Sequence, residues 1–209
     1  KGKDWKGTVG LDAKVGISSN FTMDITVNPD FGQVESDPSV MNLTAFETFY
    51  EEKRPFFLEG KTIFNYDFDE LNLFYSRRIG HQPSYSVPFD GTNYVKSPDN
   101  TTILDAVKIS GKTADGLSVG ILQSLTAAEY AHLDDGLGNA DKTTVEPLTS
   151  YTVARVQKDY NQGTTMIGGM ITSTNRFIND AHLDFLDRNA YTGGLDLLHQ
   201  WKDKKYYVD

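Results

Sequence analysis

The residue types most capable of chemistry lie in two short runs, EEKRPFFLEG at 51–60 and SRRIG at 76–80. The candidates among them are Glu51, Glu52, Arg54, Glu59, Arg77 and Arg78. Guanidinium groups pair bidentately with carboxylates and bind other anions in the same way. One interpretation is therefore a ligand-binding site for an anion or a sugar. The interpretation that we favour is a ladder of ion pairs that bridges strands and holds a folded-in segment.

The sequence contains no recognisable catalytic constellation. Its four histidines stand apart from any HExxH, nucleophile-elbow or phosphate-loop motif. Carboxylates are abundant, and a glycosidase pair needs only closeness in space, so a glycan-processing hydrolase stays open as an alternative. We predict no catalytic residue, no cofactor and a protein that is not an enzyme.

Two further groups have ordinary structural interpretations. Phe56 and Phe57 could stack on a sugar ring, but such a pair more often anchors a segment in a core or at an interface. Hard oxygen ligands for Ca²⁺ occur in two connections, without the EF-hand spacing: Asp134, Asp135, Asn139 and Asp141, and Asp30, Glu35 and Asp37. We predict no metal site.

The composition limits the class of protein. With 18 glycines and 12% aromatic residues, the 209 residues favour many short strands and turns over a helical bundle. A net charge of -9 argues against a nucleic-acid partner. No apolar run reaches the ~20 residues of a membrane-spanning helix, whereas a barrel strand needs only about 9 to 11 alternating residues.

Residues 8–28 predict a β-hairpin whose apolar side chains share one face. Alternating residues from Val9 to Ile17 and from Phe21 to Val27 are apolar. A loop at 18–20 sets Val15 opposite Met23 and Lys14 opposite Asp24. One side of this ribbon must be covered by a second protein layer or by lipid.

Similar patterns continue along the chain. Further hairpins are predicted at 103–131, 151–177 and 191–209, which gives about eight strands in an antiparallel meander. The run 71–80 also alternates, which predicts a strand, while 41–64 is ambiguous and 81–100 is predicted to be a long loop. Tight turns alternate with long polar loops, as in membrane barrels. Aromatic residues at or near predicted strand ends favour a girdle: Trp5, Tyr50, Tyr75, Tyr151, Tyr191, Trp201, Tyr206 and Tyr207.

Several segments of the sequence resemble those of a known family. The runs NPDFGQVE, EEKRPFFLEG, LFYSRRIG, AVKISGKTADGLSVGILQSLTA and TVARVQKDYNQGTTMIGGMIT closely resemble the C-terminal β-barrel domain of an outer-membrane family of unknown function. That family occurs in Bacteroidota and related Gram-negative bacteria. Its barrel usually follows a β-sandwich similar to family 9 carbohydrate-binding modules. The resemblance implies that residues 1–209 are a partial barrel domain, without the N-terminal sandwich module and the later strands.

These observations predict an all-β protein, an antiparallel meander that forms part of a transmembrane β-barrel in the cell outer membrane. Its function would be that of a non-enzymatic scaffold, passage or docking site, linked to glycan binding by the missing module. The expected partners are outer-membrane lipid and a glycan ligand, and not nucleic acid. The first alternative is a soluble carbohydrate-binding β-sandwich, and the second is the glycan-processing hydrolase.

Overall fold

The computed structural model describes residues 9–29, 49–68, 71–88, 91, 94–137 and 139–209. The strands are β1 (Leu11–Gly16), β2 (Phe21–Val27), β3 (Asp67–Phe68), β4 (Leu71–Asn72), β5 (Tyr94–Lys96), β6 (Ile103–Lys112), β7 (Leu117–Thr126), β8 (Glu129–Asp134), β9 (Ala140–Glu146), β10 (Leu148–Tyr160), β11 (Thr165–Phe177), β12 (Asn189–Trp201) and β13 (Tyr206–Val208). One helical turn, α1 (Pro55–Leu58), and 3-10 turns at Lys61–Phe64, Ser76–Arg78 and Ala181–Leu183 complete the described elements. No helix in these ranges is long and apolar enough to cross a membrane.

The main sheet confirms the predicted antiparallel meander. Eight strands pair in the order β1-β2-β6-β7-β10-β11-β12-β13, and every pair is antiparallel. Alternating strand directions place the tight turns, at 17–20, 113–116, 161–164 and 202–205, at one end of the sheet. The long connections start and finish at the other end. β1 and β13 are the two edge strands of this sheet. In the described part of the chain they do not pair with each other to close it.

The predicted register of the first hairpin is confirmed. Val15 pairs with Met23, and Lys14 pairs with Asp24. Because side chains alternate along a strand, this register sends the apolar set to one face and the charged pair to the other. We name the face of Val15 and Met23 the outer face, and the face of Lys14 and Asp24 the inner face.

The inner face combines many polar or small side chains with a few large apolar ones, and much of it is buried. Its buried members are Asp24, Thr26, Ala106, Lys108, Ser110, Ser118, Leu122, Ser124, Thr126, Thr149, Tyr151, Val153, Arg155 and Met170. The outer face is apolar and exposed in most strands: Leu11, Val15, Ile121, Val156, Ile167, Ile171, Leu195 and Leu197. Leu195, at the middle of β12, is 88% exposed. This distribution reverses the usual one, in which the apolar face of a sheet is the covered face.

The inner face is covered by residues 49–68 and 71–80, which we name the inner segment. Its buried Phe57, Phe64 and Ile79 belong to the same core cluster as Leu122 and Met170 of the sheet. α1 begins at Pro55, since proline is well suited to the first turn of a helix. The ambiguous run 41–64 therefore contains a helical turn after this proline, while residues 41–48 lie outside the described ranges.

The strand predicted at 71–80 is wrong for most of its length. Only Leu71–Asn72 is strand, and Ser76–Arg78 forms a 3-10 turn. The carbonyl oxygens of Ser76 and Ile79 accept hydrogen bonds from the Arg54 side chain. A side chain thus bonds backbone groups that a neighbouring strand would otherwise pair, which alternation alone does not reveal.

The predicted loop at 81–100 contains one short strand. β5 pairs with β8, and β8 pairs with β9, in a separate three-stranded sheet. β8 follows β7 closely and β9 runs almost directly into β10, so this sheet extends the long-connection end. Ala131 and Val145 are fully buried within it.

The aromatic residues predicted as a girdle divide into several groups. Tyr191, Trp201 and Tyr206 have the strand parity of the outer face and are exposed. Tyr50 and Tyr75 belong to the inner segment, where the Tyr75 hydroxyl forms hydrogen bonds with the backbone of Tyr50. The girdle prediction is therefore wrong for these two, and for Tyr151, which is buried on the inner face. Tyr207 has the inner parity, and Trp5 lies outside the described residues.

Adjacent positions on β7 test the two-faced sheet. Leu122→Ala should lower the free energy of unfolding by about 2 to 5 kcal/mol, because Leu122 is 1% exposed and its loss leaves a cavity beneath the inner segment. Ile121→Ala should lower the free energy of unfolding by at least about 1 kcal/mol less than Leu122→Ala, because the Ile121 side chain is exposed. Urea unfolding of the full-length protein measures both, and equal losses would contradict the assignment of the faces.

Candidate functional site

Glu52 and Arg54 form a buried ion pair at the start of the inner segment. Arg54 Nε donates to Glu52 Oε1 at 2.8 Å, and Arg54 Nη2 donates to Oε2 at 2.7 Å. The Ser76 hydroxyl donates to Glu52 Oε2 at 2.6 Å, and Arg54 Nη1 donates to the Ile79 carbonyl at 2.6 Å. The guanidinium carbon lies 4.2 Å from the centre of the Phe57 ring. These bonds engage both charged groups within the protein.

The environment of Glu52 favours its charged form. Burial raises the pKa of this carboxyl, but the hydrogen bonds and charge of Arg54, together with the Ser76 hydroxyl, outweigh it. The pKa of Glu52 is therefore lowered from its ordinary value of 4.5. A carboxylate that is held ionised by its own structural partners is suited to an anchor.

Lys108 on β6 forms a second anchor beneath α1. Its Nζ donates to the carbonyl oxygens of Phe56 and Glu59, the latter at 2.7 Å, and lies 3.4 Å from Asp24 Oδ2. The side chain is 1% exposed, so these acceptors replace its hydration. Lys14 on β1 pairs with the Glu59 carboxylate and lies 3.8 Å from Asp24 Oδ1. The first two hairpins are thus tied to the inner segment.

A third anchor involves Arg155 and Asp196. Arg155 on β10 forms a bidentate pair with Asp196 on β12, with Nη2 and Oδ2 2.9 Å apart. The guanidinium carbon lies 5.1 Å from the centre of the Tyr66 ring. The Tyr66 hydroxyl donates to the Leu195 carbonyl at 3.0 Å. The pair crosses above Gly168 of β11, where a Cβ would lie 2.7 Å from the Asp196 carboxylate.

The structure separates the six predicted site residues. It brings Arg54 and Glu52 together, whereas the carboxylate of Glu59 pairs with Lys14. Glu51 is exposed at the start of the segment. Arg77 is half-buried and Arg78 is exposed on the 3-10 turn. A ligand-binding role for these six residues stays a prediction.

Sequence reasoning missed the anchors on the strands. Lys108, Arg155 and Asp196 all have the inner-face parity, opposite to the outer-face residues Val156 and Leu195 of β10 and β12. A charged residue at a position opposite to the predicted apolar face of its strand was the available signal. Tyr66 had no comparable signal, because it lies in irregular backbone between short elements.

A cavity of about 160 Å³ lies between the inner segment and the sheet. Its wall includes Phe57, Phe64, Phe74, Tyr75 and Asn65, with Glu52 and Lys108 also contributing. The volume is smaller than the roughly 300 to 1,000 Å³ of ordinary ligand pockets. The bonds of Glu52 and Lys108 to protein groups leave the aromatic wall as the main feature of this space.

The acidic loop considered for Ca²⁺ is organised by its own hydrogen bonds. Asp135 Oδ2 accepts from the Asn139 amide at 2.7 Å, and Asp135 Oδ1 accepts from the backbone N–H of Leu137 at 2.8 Å. The Asn139 side chain and these backbone groups lower the pKa of Asp135. Within the described ranges, no cluster of His, Cys, Asp or Glu suits a metal ion. Asp30, Glu35 and Asp37 lie outside those ranges.

The fold and these anchors define an all-β protein whose antiparallel sheet carries an ion-paired inner segment. Residues 1–208 match the family described as "Domain of unknown function (DUF5916)", and the chain belongs to that family. No curated protein and no solved structure matches the chain significantly. The more specific resemblance to a Bacteroidota outer-membrane barrel domain stays a prediction.

Removal of the guanidinium tests the first anchor. Arg54→Ala should lower the free energy of unfolding by about 3 to 5 kcal/mol, because it leaves the Glu52 charge buried without its partner. Arg54→Met combined with Glu52→Gln should cost less than Arg54→Ala, because the buried charge is gone. Denaturant unfolding measures these changes. Lys61→Ala, at an exposed position of the same segment, is the control. A double variant that is no more stable than Arg54→Ala would contradict the buried pair.

The lowered pKa of Glu52 predicts an acid-dependent loss of stability. The folded pKa lies below the unfolded one, so the contribution is complete above pH 4.5 and declines as the pH falls through the folded pKa. Glu52→Gln should flatten this part of the stability profile. Unfolding free energies from about pH 7 to about pH 3 measure the slopes, and identical slopes would contradict the prediction.

Proposed function

We propose that this chain is part of an outer-membrane β-barrel that acts as a non-enzymatic scaffold, passage or docking site. The outer face would contact lipid, and the inner face would line the barrel interior. The observation that carries the proposal is the apolar, exposed outer face, which extends from β1 to β13.

Exposed apolar area of this extent supports a non-aqueous environment. Soluble monomers rarely expose contiguous apolar patches larger than a few hundred Å². Here Ile121, Val156, Ile171 and Leu195 lie on four consecutive strands with the same parity. The inner face of the same strands carries buried polar residues, and the interior of a membrane barrel is polar in the same way.

The two ends of the sheet also support the proposal. Tight turns join strands at one end and long connections join them at the other, as in bacterial outer-membrane barrels. Tyr160, Trp201 and Tyr206 lie on the outer face near the tight turns, while Phe177 and Tyr191 lie near the long connections. Aromatic residues at both rims of an apolar band are typical of membrane interfaces.

The alternatives have less support. A soluble sandwich would bury the outer face under a second layer. No described residue covers Leu195 or Ile171, and both side chains are exposed. A hydrolase would need a pair of carboxylates that exchange protons. Among the predicted site residues, both oxygens of Glu52 accept structural hydrogen bonds, and Glu59 pairs with Lys14. A glycan ligand is supported by the sequence resemblance alone.

Two leucines of equal exposure provide the test. Leu195 is 88% exposed at the middle of β12, and Leu137 is 87% exposed in the β8–β9 turn. Leu195→Lys should strongly reduce assembly of the full-length protein into membranes, because a lysine at the midplane of a lipid face costs about 2 to 4 kcal/mol. Leu137→Lys should assemble like the unmodified protein.

The measurement is the yield of folded protein in the membrane fraction. Val15→Asp on β1 and Ile25→Lys on β2 should behave like Leu195→Lys, since both residues have the outer parity. A protein in water would tolerate a lysine equally at two fully exposed positions. Equal membrane yields for Leu195→Lys and Leu137→Lys would therefore overturn the lipid-facing assignment.

A further inference from the structure

The inner segment is closed on itself near its two ends. Arg54 donates to the carbonyl oxygens of Ser76 and Ile79, more than twenty positions further along the chain. The backbone N–H of Tyr50 donates to the Tyr75 hydroxyl at 2.7 Å, and that hydroxyl donates back to the Tyr50 carbonyl at 3.2 Å. These bonds join the start and the end of the segment, so the described residues 50–68 and 71–79 form one compact body.

This body is fixed to the sheet at several strands. Lys108 of β6 bonds the carbonyl oxygens at the end of α1, and Lys14 of β1 pairs with Glu59. At the other side, Tyr66 bonds the backbone of β12 and lies against Arg155 of β10. Anchors at both sides oppose lateral movement over the inner face.

The sheet is shaped to receive the segment. Gly120 of β7 lies under Phe64, and a Cβ at Gly120 would be 2.9 Å from the Phe64 ring. Gly194 of β12 lies under Tyr66, and a Cβ there would be 2.6 Å from the Tyr66 Cζ atom. Larger residues at these two positions would push the segment away from the inner face.

We propose that residues 50–68 and 71–79 form a plug that closes the interior of the barrel on this side to the passage of small solutes. The inference depends on the proposed barrel. Among the scaffold, passage and docking roles, it argues against a passage that is open at rest. Charged anchors and a buried aromatic core hold the plug in place, so the resting protein is closed. Passage through this region requires displacement of the whole body.

Glycine substitutions on the sheet test the plug without changing its own residues. Gly120→Val combined with Gly194→Val should raise glucose uptake into proteoliposomes of the full-length protein roughly tenfold, which corresponds to about 1.4 kcal/mol of docking free energy. Gly16→Val is the matched control, because Gly16 also has the inner parity but a Cβ there meets nothing within 4 Å. The control should exclude glucose like the unmodified protein.

A disulfide provides a second, independent arm. The chain has no cysteine, and a Cβ at Gly60 would lie 3.6 Å from the Ser110 Cβ, within the range of a disulfide. Gly60→Cys combined with Ser110→Cys should form this bond in the membrane. In the valine background, the oxidised form should restore exclusion of glucose, and reduction should restore uptake. The reduced form controls for the backbone strain at Gly60, where φ is 69°.

Each outcome decides the proposal. Uptake by the unmodified protein at the level of the valine variant, or uptake that locking does not change, would overturn the plug. If the valine variant does not assemble, the cysteine pair decides alone, because failure to form the disulfide in assembled protein would overturn docking of the segment. Absence of the unmodified protein and of the Gly16→Val control from the membrane fraction would instead overturn the proposed barrel.

Discussion

The buried charge on the inner face is the constraint on which the rest of the structure depends. Lys108 is 1% exposed, and a buried ammonium group is tolerated only with close partners. Two backbone carbonyls of the inner segment accept its hydrogen bonds, and the carboxylate of Asp24 is its ion-pair partner. Sheet and segment are therefore interdependent, because the sheet supplies a charge that the segment satisfies. The segment in turn supplies the aromatic side chains that complete the core.

This interdependence explains how irregular backbone can lie in a covered position. An element without strand partners must find other partners for its backbone groups. Arg54 supplies donors to the carbonyls of Ser76 and Ile79, and Lys108 does so for Phe56 and Glu59. Two long cationic side chains thus replace a neighbouring strand. On the proposed membrane placement, the same backbone could not face lipid, where such partners are absent.

Local alternation was sufficient to predict the strands of the main sheet, and the Val15 to Met23 register followed from it. The same rule failed at 71–80, because there the backbone bonds a side chain distant in sequence, which periodicity does not encode. Proximity of charged residues in sequence indicated Glu52 and Arg54. It did not indicate that Glu59 pairs with Lys14, since that contact depends on how the segment crosses the sheet. The aromatic rule failed at Tyr151, because its parity places the side chain on the inner face.

The distribution of polar and apolar side chains over the two faces indicates the surroundings for which this sheet is suited. In a sheet that faces water on one side, polar side chains lie on the exposed face and apolar ones on the covered face. Here Ser124 and Thr126 are fully buried, whereas Leu195 is almost fully exposed. A larger or better packed inner core would not correct this arrangement, because the exposed apolar residues have the opposite parity and cannot reach that core. Only a medium or a layer on the outer side can cover them, and under the proposed barrel that medium is lipid.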